Sequence, residues 1–560
     1  MADILQTHIL PGFYNVFKAV PMSNYQQRGT LGVVALGMVM DWGKDDEPTE
    51  LYSEDIITGA SLRKIGYTIA NTESILPYML ALISAPKAYL VKLNKNGNKA
   101  YATLGSFTIE AKYKGIFGNN INVVITANTP SAGKYTVTVS VSGARKESFV
   151  VSEPNDLLAI QSSFVVFKTE SETPSMPTTT GIALTNGTNG SIVEEDTAGS
   201  YATKTIGSLV FTAKNVGANG NKIGITIAEN TTDPSKYDLT VAVDGVIQET
   251  FAELKDVAGF VAVASNLVTI TNPSGTTITT TTNELLEDGA DAGLSSYSSY
   301  REELKYKQFN VCAIMVTSEK ANKTIIDIVN KRIAASNKRL VEGIVFNKPM
   351  LNNDHIVSVE QGIECDQFTI TTELNIPLVA SMRAGCPLNE SLTDYNLTEL
   401  VGARKIINPI NDDDDTELEN AIAQGRFVYK YEEDGTVRVL QDINTLVNFT
   451  DDKPKGYRKN RHIAILDYLV NEERRMAHDG IIGKFSNVQE KRNIIAARYI
   501  TIFKELYDMT AIKEYDPLTD LRVNMGADIE VVKIDQTVRP TDSIEILDCT
   551  TNVDFNFNEG

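Results

Sequence analysis

The sequence predicts an α+β multidomain protein. An α/β core is interrupted by two tandem homologous β-sandwich domains, and a C-terminal α+β module with extended terminal arms follows it. Three observations predict this class. The chain has 560 residues, more than one hydrophobic core usually supports. Its middle contains an internal repeat of alternating strands. Short apolar runs and helical stretches flank that repeat on both sides.

The repeat aligns residues 104–149 with residues 206–251 without a gap, and 19 of 46 positions are identical. Chance would give about three, so the segment is duplicated. Each copy alternates apolar and polar residues in two runs joined by a turn, which is typical of a hairpin with one buried face. We therefore expect β-sandwich domains at 104–205 and 206–293.

The core is predicted from runs on either side of the repeat. LGVVALGM at 31 and AYLVKL at 88 are nearly continuous apolar runs, typical of strands covered on both faces. After the repeat, NVCAIMV at 310, helix-like KTIIDIVNKRIAASNKRL at 323 and VEGIVFN at 341 alternate strand, helix and strand. This indicates one α/β core in two parts, residues 21–103 and 294–410.

A C-terminal module is predicted over 411–542. It begins with a hairpin that turns at Asp434-Gly435, continues with helices near 462–479 and 488–507, and returns to strand in DIEVVKI at 528. The last residues, 543–560, alternate apolar with polar and place Val553, Phe555 and Phe557 on one face. Such an arm needs a partner strand.

The composition is that of an ordinary globular chain, with 42% hydrophobic and 22% charged residues. A net charge of −20 argues against a direct nucleic-acid partner, because phosphate neutralisation needs a basic face. The four scattered cysteines form no CxxC pair and fit a reducing compartment. We expect no signal peptide and no membrane insertion, because the start lacks that pattern and no apolar run is long enough.

Six motifs, taken in this order, resemble those of the contractile tail sheath proteins of myoviruses and related phage-tail-like particles. They are VVALGMVMDWGKDDEPTEL, the AKxxGxxGN heads of both repeats, LEDGADAG, IPLVASMRAGCPLNESLT, DINTLVNF and IIGKFSN. The resemblance implies a core built from the outer parts of the chain, an outward β-sandwich insertion, and linking arms at 1–20 and 543–560. Two sandwich copies in place of one are a departure from the simplest members.

The resemblance also implies a function. The chain would be a structural subunit that polymerises helically around an inner tail tube and contracts to drive the tube through the host cell envelope, with energy stored in a metastable extended lattice. Implied partners are the chain itself in stacked rings, the inner tail tube protein, and baseplate and tail terminator proteins. The implied location is the virion tail, or a phage-tail-like particle, assembled in the host cytoplasm.

Two sets of contact residues follow as hypotheses. In the first hypothesis, the C-terminal strand of one subunit and the N-terminal strand of another complete a sheet on a third subunit. The residues of these two strands are Asn15, Val16, Phe17, Val20, Val553, Phe555 and Phe557. In the second, basic residues that begin near Lys453 face the inner tube, while a solvated face is an equal alternative. The candidate tube-facing residues are Arg458, Arg461, Arg474 and Arg475.

Chemistry-bearing motifs are missing from the sequence. The four histidines show no HExxH spacing, and no Gly-Lys pair is followed by Ser or Thr. The run Asp412 to Asp415 lacks the spacing of a calcium loop and is expected to be a solvated loop. We therefore expect no catalytic residue, metal or cofactor. The alternatives are a surface adhesin or carbohydrate-binding protein with duplicated sandwiches, and an α/β enzyme with sandwich appendages.

Overall fold

The computed structural model describes residues 32–128, 131, 133–290, 293–335, 340–410 and 415–547. These residues form two compact units. The first contains the described residues up to Ser191 and those from Tyr300 onward, and the second is Ile192–Ser299. The fold is mixed α+β, as predicted.

The first part of the core supplies three strands of the main sheet. Nearly every residue of β1 and β3 is buried, as expected for strands covered on both faces. Gly59 follows α1 in the left-handed conformation, which suits glycine and ends the helix. The elements are β1 Val33–Met38, β2 Thr49–Tyr52, α1 Ser53–Thr58, α2 Ser61–Ile65, α3 Thr72–Leu82, β3 Lys87–Lys92 and β4 Asn94–Lys95.

The first sandwich consists of a three-stranded sheet in the order β10-β6-β5 and a four-stranded sheet in the order β11-β7-β8-β9. Trp42, which precedes the sandwich in sequence, is fully buried in its apolar core and contacts Phe117 and Tyr113. The sandwich is therefore built onto the core. Its strands are β5 Tyr101–Leu104, β6 Phe107–Ala111, β7 Ile121–Ala127, β8 Tyr135–Val141, β9 Ala144–Val151, β10 Val165–Thr169 and β11 Thr179–Ala183. A short strand, β12 Ser191–Ile192, follows and belongs to neither of these sheets.

The second sandwich repeats this strand order, with sheets β13-β14-β18 and β17-β16-β15-β19. Its first strand, β13, pairs with β14, so the sandwich begins before Ile206, where the sequence alignment placed its start. Its core is a separate apolar cluster around Phe211 and Phe260. The elements are β13 Tyr201–Ile206, β14 Leu209–Val216, β15 Ile223–Glu229, β16 Tyr237–Val243, β17 Val246–Leu254, α4 Val257–Val261, β18 Val268–Thr271 and β19 Thr281–Leu285.

The second part of the core completes a seven-stranded sheet in the order β2-β3-β1-β20-β21-β22-β26. The helix predicted at 323 begins earlier, at Glu319, because Ser318 caps it by accepting a bond from the Ala321 N–H. The helices are α5 Ser296–Glu303, α6 Glu319–Ala334, α7 Thr372–Gly385, α8 Leu397–Val401 and α9 Asp415–Ala423. The strands are β20 Val311–Ile314, β21 Glu342–Phe346, β22 Ile356–Val359, β23 Gly362–Cys365, β24 Thr369–Ile370, β25 Ala403–Ile407, β26 Arg426–Phe427, β27 Tyr429–Tyr431 and β28 Val437–Val439.

The C-terminal module contains two long helices, α10 Asn460–Gly480 and α11 Gln489–Asp508, within two residues of the predicted bounds. A short helix α12, Pro517–Asp520, leads into an antiparallel hairpin of β29 Leu521–Met525 and β30 Val532–Gln536. One apolar cluster joins the helices and the hairpin. At its centre the rings of Phe503 and Tyr515 stack with centroids 4.3 Å apart.

Candidate assembly site in the C-terminal module

The hairpin β29–β30 presents one face to its own helices. Val523 lies opposite Ile534 in the register, and both pack against the cluster that contains Phe503. The alternate residues, Arg522 opposite Asp535, point away from that cluster and are exposed. This alternation fixes the register of the hairpin, because a slip by one residue would expose the apolar face.

Both long edges of this hairpin are open. Within the described residues the sheet has two strands only, so neither β29 nor β30 pairs with a further strand. An antiparallel strand directs every second pair of N–H and C=O groups outward, and a strand from another chain can satisfy these groups. The hairpin therefore leaves both of its edges unpaired within the described residues.

The chain that leaves β30 is held to its own subunit. The Lys513 N–H donates to the Arg539 carbonyl at 2.8 Å, and the Thr541 N–H donates to the Ala511 carbonyl at 2.9 Å. Arg539 also makes a two-pronged contact with Asp520, with both N–O distances 2.8 Å. These contacts direct the chain toward the core before the last described segment.

Glu545 anchors that last segment. Its carboxylate pairs with Lys459 and accepts hydrogen bonds from Gln441 at 2.7 Å and from Thr393 at 3.1 Å. Burial would raise the pKa of Glu545, but the bonds from Lys459 and Gln441 lower it overall. The carboxylate therefore stays charged near neutral pH and fixes where the arm begins.

The residues around the anchor face outward. Ile544, Ile546 and Leu547 are 81%, 85% and 81% exposed, although an isolated chain gains nothing by exposing three large apolar side chains in four residues. Glu545 points inward, whereas Ile544, Ile546 and Leu547 all point outward. The arm thus starts as an exposed apolar segment that is not paired with a strand among the described residues.

The residues proposed for strand exchange lie outside the part of the chain that the structure describes. This holds for Asn15, Val16, Phe17 and Val20 at the N-terminus and for Val553, Phe555 and Phe557 at the C-terminus. The described structure ends at Leu547, between the anchor Glu545 and the predicted strand. The hypothesis of strand exchange therefore stays a prediction.

Two of the candidate tube-facing arginines are buried. Arg458 and Arg461 are 7% and 6% exposed, and Arg461 donates to the Leu388 carbonyl at 3.3 Å and to Thr541 Oγ1 at 2.7 Å. This differs from the outward position expected from the sequence. The cause is that the start of α10 and the segment before it pack against the core and the outgoing arm. Arg461 makes internal contacts there, whereas Nε and Nη2 of Arg458 are buried without a hydrogen-bond partner among the described residues.

The other two candidate arginines lie on α10 with more exposure. Arg475 is exposed and donates from Nη2 to Glu472 at 2.5 Å, one turn earlier on the helix. The Glu472 bond raises the pKa of Arg475, so this side chain is a permanent cation. Arg474 is partly exposed and has an interaction of its own. These two residues remain the candidates for a charged contact from α10.

A buried charge network lies where the core meets α10, and the sequence reasoning missed it. Arg383 of α7 is 1% exposed at its side chain and donates from Nε to Glu342 and from Nη1 to Asp442, both at 2.9 Å. Asn460, the first residue of α10, donates to the other oxygen of Asp442 at 2.8 Å. A single arginine within the apolar run IPLVASMRAG was the available signal, since a lone buried cation needs partners.

His355 makes a second polar link to α10. Its Nδ1 lies 2.9 Å from Asp354 and its Nε2 lies 3.0 Å from Asp467 of α10. Burial alone would lower the pKa of His355, but the two carboxylates raise it to about 10. The ring is therefore protonated at neutral pH. Lys453 also pairs with Asp354 at 2.8 Å, so two cations and two carboxylates alternate at this junction.

Two further features of the described ranges concern metal binding and membrane insertion. No group of three or more His, Cys, Asp or Glu residues there is arranged to hold a metal ion. No helix there is both long and apolar enough to cross a membrane.

The chain matches two family models. Residues 292–445 match the phage tail sheath protein central domain, and residues 452–554 match the phage tail sheath C-terminal domain. The second match contains the hairpin β29–β30, the anchor Glu545 and most of the arm. Both matches lie outside the two sandwiches, so the adhesin alternative gains no support from them.

Among curated proteins, the chain is similar to two from Bacillus subtilis (strain 168). It is 27% identical to the uncharacterized protein YqbK over 358 residues, which is 59% of this chain and 74% of that protein. It is 26% identical to the phage-like element PBSX protein XkdK over 356 residues, which is again 59% of this chain and 74% of that protein.

Two solved structures share the fold. A sheath tail protein from Desulfitobacterium hafniense has a TM-score of 0.62 at 24% identity, covering 95% of this chain and 98% of that one. A sheath tail protein from Listeria innocua has a TM-score of 0.64 at 21% identity, covering 92% and 93%.

Proposed function

Because this chain belongs to the phage tail sheath family, we propose that it polymerises into a helical sheath around an inner tail tube and contracts to drive that tube through a cell envelope. The single observation that carries the proposal is that one subunit contains both a hairpin with unpaired edges and an anchored arm that exposes Ile544, Ile546 and Leu547. Each subunit thus has both an acceptor and a donor for strand exchange.

The proposed linkage uses both edges of β29–β30. One edge takes the C-terminal strand of a neighbour, with Val553, Phe555 and Phe557 toward the apolar face. The other edge takes the segment about Asn15 to Val20 of a second neighbour. Added strands satisfy main-chain groups and leave each subunit core intact, so cores can shift while the links persist. That property suits a lattice that shortens without dissociating.

The energy for shortening would come from the lattice. A contracted arrangement that buries a few hundred Å² more apolar surface per subunit gains several kcal/mol at about 25 cal/mol per Å². Many subunits multiply this difference, and no nucleotide or catalytic step is needed. The inner tube, the baseplate and the tail terminator are the proposed partners, and the virion tail or a phage-tail-like particle is the proposed location.

Truncation of the arm tests this function. A chain that ends at Asp542 lacks the donor strand but keeps the hairpin and the contacts of Arg539 and Thr541. A second variant keeps the full length of the chain and replaces Ile544, Ile546 and Leu547 by serine. Folding is checked by circular dichroism and assembly by electron microscopy. We expect folded monomers without tubes for the truncation and fewer tubes for the serine variant; full, contractile sheaths from the truncated chain would overturn the proposal.

A further inference from the structure

Two surfaces of opposite charge lie beside the two edge strands of the seven-stranded sheet. One edge strand is β2 and the other is β26, with five strands between them. At about 4.8 Å between neighbouring strands, the edges lie roughly 29 Å apart. A basic groove lies beside β2, and helix α9, whose first turns are acidic, packs against β26, so one subunit presents complementary surfaces near opposite edges of the sheet.

The basic groove has a volume of about 390 Å³ and opens to solvent between β2, α2 and the first sandwich. Two carboxylates, Glu47 and Glu50, line it together with five cations. The cations are Lys44, Arg63, Lys64, Lys112 and Lys307. This excess of positive charge stands out in a chain whose net charge is −20.

Contacts within the subunit leave part of this charge uncompensated. Lys44 pairs with Glu47, Lys64 with Asp55, and Lys307 lies 3.7 Å from Glu50. Lys112 donates only to a neutral carbonyl, that of Ser162, at 3.1 Å. Arg63 is exposed, and no carboxylate of a described residue pairs with it. Arg63 and Lys112 are therefore available to an anionic partner.

The acidic surface is the first turns of α9. The helix Asp415–Ala423 contains one aspartate and two glutamates and no cation. Asp415, Glu417 and Glu419 are exposed, and no cation of a described residue pairs with them. One or two acids suffice to stabilise a helix start through its dipole, so this charge exceeds what the helix needs.

We propose that the basic groove of one subunit receives the acidic start of α9 from a second copy of this chain. A contact between two different surfaces on opposite sides is heterologous, so it propagates into a ring or a helix instead of closing as a dimer. This inference rests on the proposed sheath and adds to it a side-by-side contact that is distinct from strand exchange. Because the contact is electrostatic, it weakens with added salt.

Charge exchange between the two surfaces tests the inference. The groove variant is Arg63→Glu with Lys112→Glu, and the helix variant is Asp415→Lys with Glu417→Lys. A control for the groove variant, Lys134→Glu with Arg145→Glu, makes the same change of charge as that variant at exposed positions on the first sandwich. Circular dichroism establishes that each variant folds. The critical concentration for polymerisation is then measured by sedimentation at several sodium chloride concentrations.

We expect the groove variant and the helix variant each to raise the critical concentration at low salt by roughly tenfold or more, as for charge pairs at interfaces. An equimolar mixture of the two variants, or one chain with all four changes, regains assembly, while the control assembles as the unmodified chain does. Unchanged assembly of both variants, or no rescue, would overturn this inference and leave the sheath proposal intact. An unmodified chain that stays monomeric at every concentration would overturn both.

Discussion

His355 Nε2 lies 3.0 Å from Asp467 Oδ1, which joins the start of strand β22 in the core to the middle of helix α10. The C-terminal module is thus attached to the core by buried charges as well as by apolar contacts. If the module carries the links between subunits, force on the arms passes through this junction into the core.

The first prediction concerns pH. The pKa of His355 is about 10 in the folded protein and near 6.5 when unfolded, so its contribution to stability is complete below about pH 6.5 and declines as pH rises to 10. His355→Gln should destabilise the chain by about 1–3 kcal/mol at pH 6. The difference from the unmodified chain should shrink steadily by pH 10. Urea unfolding at several pH values measures this, and a constant difference would contradict it.

The second prediction concerns the buried arginine. Arg383→Met leaves Glu342 and Asp442 buried without their cation, which should cost about 3–5 kcal/mol. The control is Arg404→Met, because the Arg404 side chain is 73% exposed and its pair with Asp366 should be worth about 1 kcal/mol or less. Thermal unfolding of the two variants compares them. Equal losses of stability in the two variants would show that the buried Arg383 network stabilises the fold no more than an exposed ion pair does.

The third prediction separates the arm anchor from folding. Glu545→Ala removes the bonds to Lys459, Gln441 and Thr393, so the arm loses its fixed starting point. We expect a stability loss of only about 1 kcal/mol, but weaker assembly because the donor strand must be ordered on binding. Sedimentation gives the critical concentration. If assembly were unchanged, the anchor would have no part in strand donation.

The fourth prediction concerns the second sandwich. Thr197 and Gly293 exchange two backbone hydrogen bonds, at 2.8 and 3.0 Å, which is the pair that closes a two-residue hairpin. Replacing residues 198–292 by Asn-Gly should therefore leave a folded chain that still polymerises. The matching removal of the first sandwich should fail, because it would expose Trp42, now fully buried. Loss of folding in the first deletion would contradict this separation.

Sequence patterns predicted the fold class and both long C-terminal helices, because their apolar periodicity is regular. They placed the start of the second sandwich too late, at Ile206, for a physical reason. Strands β5 and β13 begin 100 residues apart, whereas β6 and β14 begin 102 apart, and β13 pairs with a register shift. A single fixed offset therefore aligned β6 with β14 but not their preceding strands.

The candidate site was predictable only in part. The alternating pattern of the arm predicted strand donation, whereas the cationic run around the start of α10 gave no sign that Arg458, Lys459 and Arg461 turn inward. Partners distant in sequence decide that orientation, among them Glu545 for Lys459 and Leu388 for Arg461. Composition alone cannot separate a tube-facing cation from one that holds the arm.

Helical reconstruction of the assembled polymer by electron cryomicroscopy tests the central claim most directly. We predict that the hairpin Leu521–Met525 and Val532–Gln536 forms the middle of a four-stranded sheet, with one strand from each of two neighbouring subunits on its open edges. A polymer in which both edges of that hairpin face solvent, or in which the residues after Leu547 fold back on their own subunit, would contradict the account.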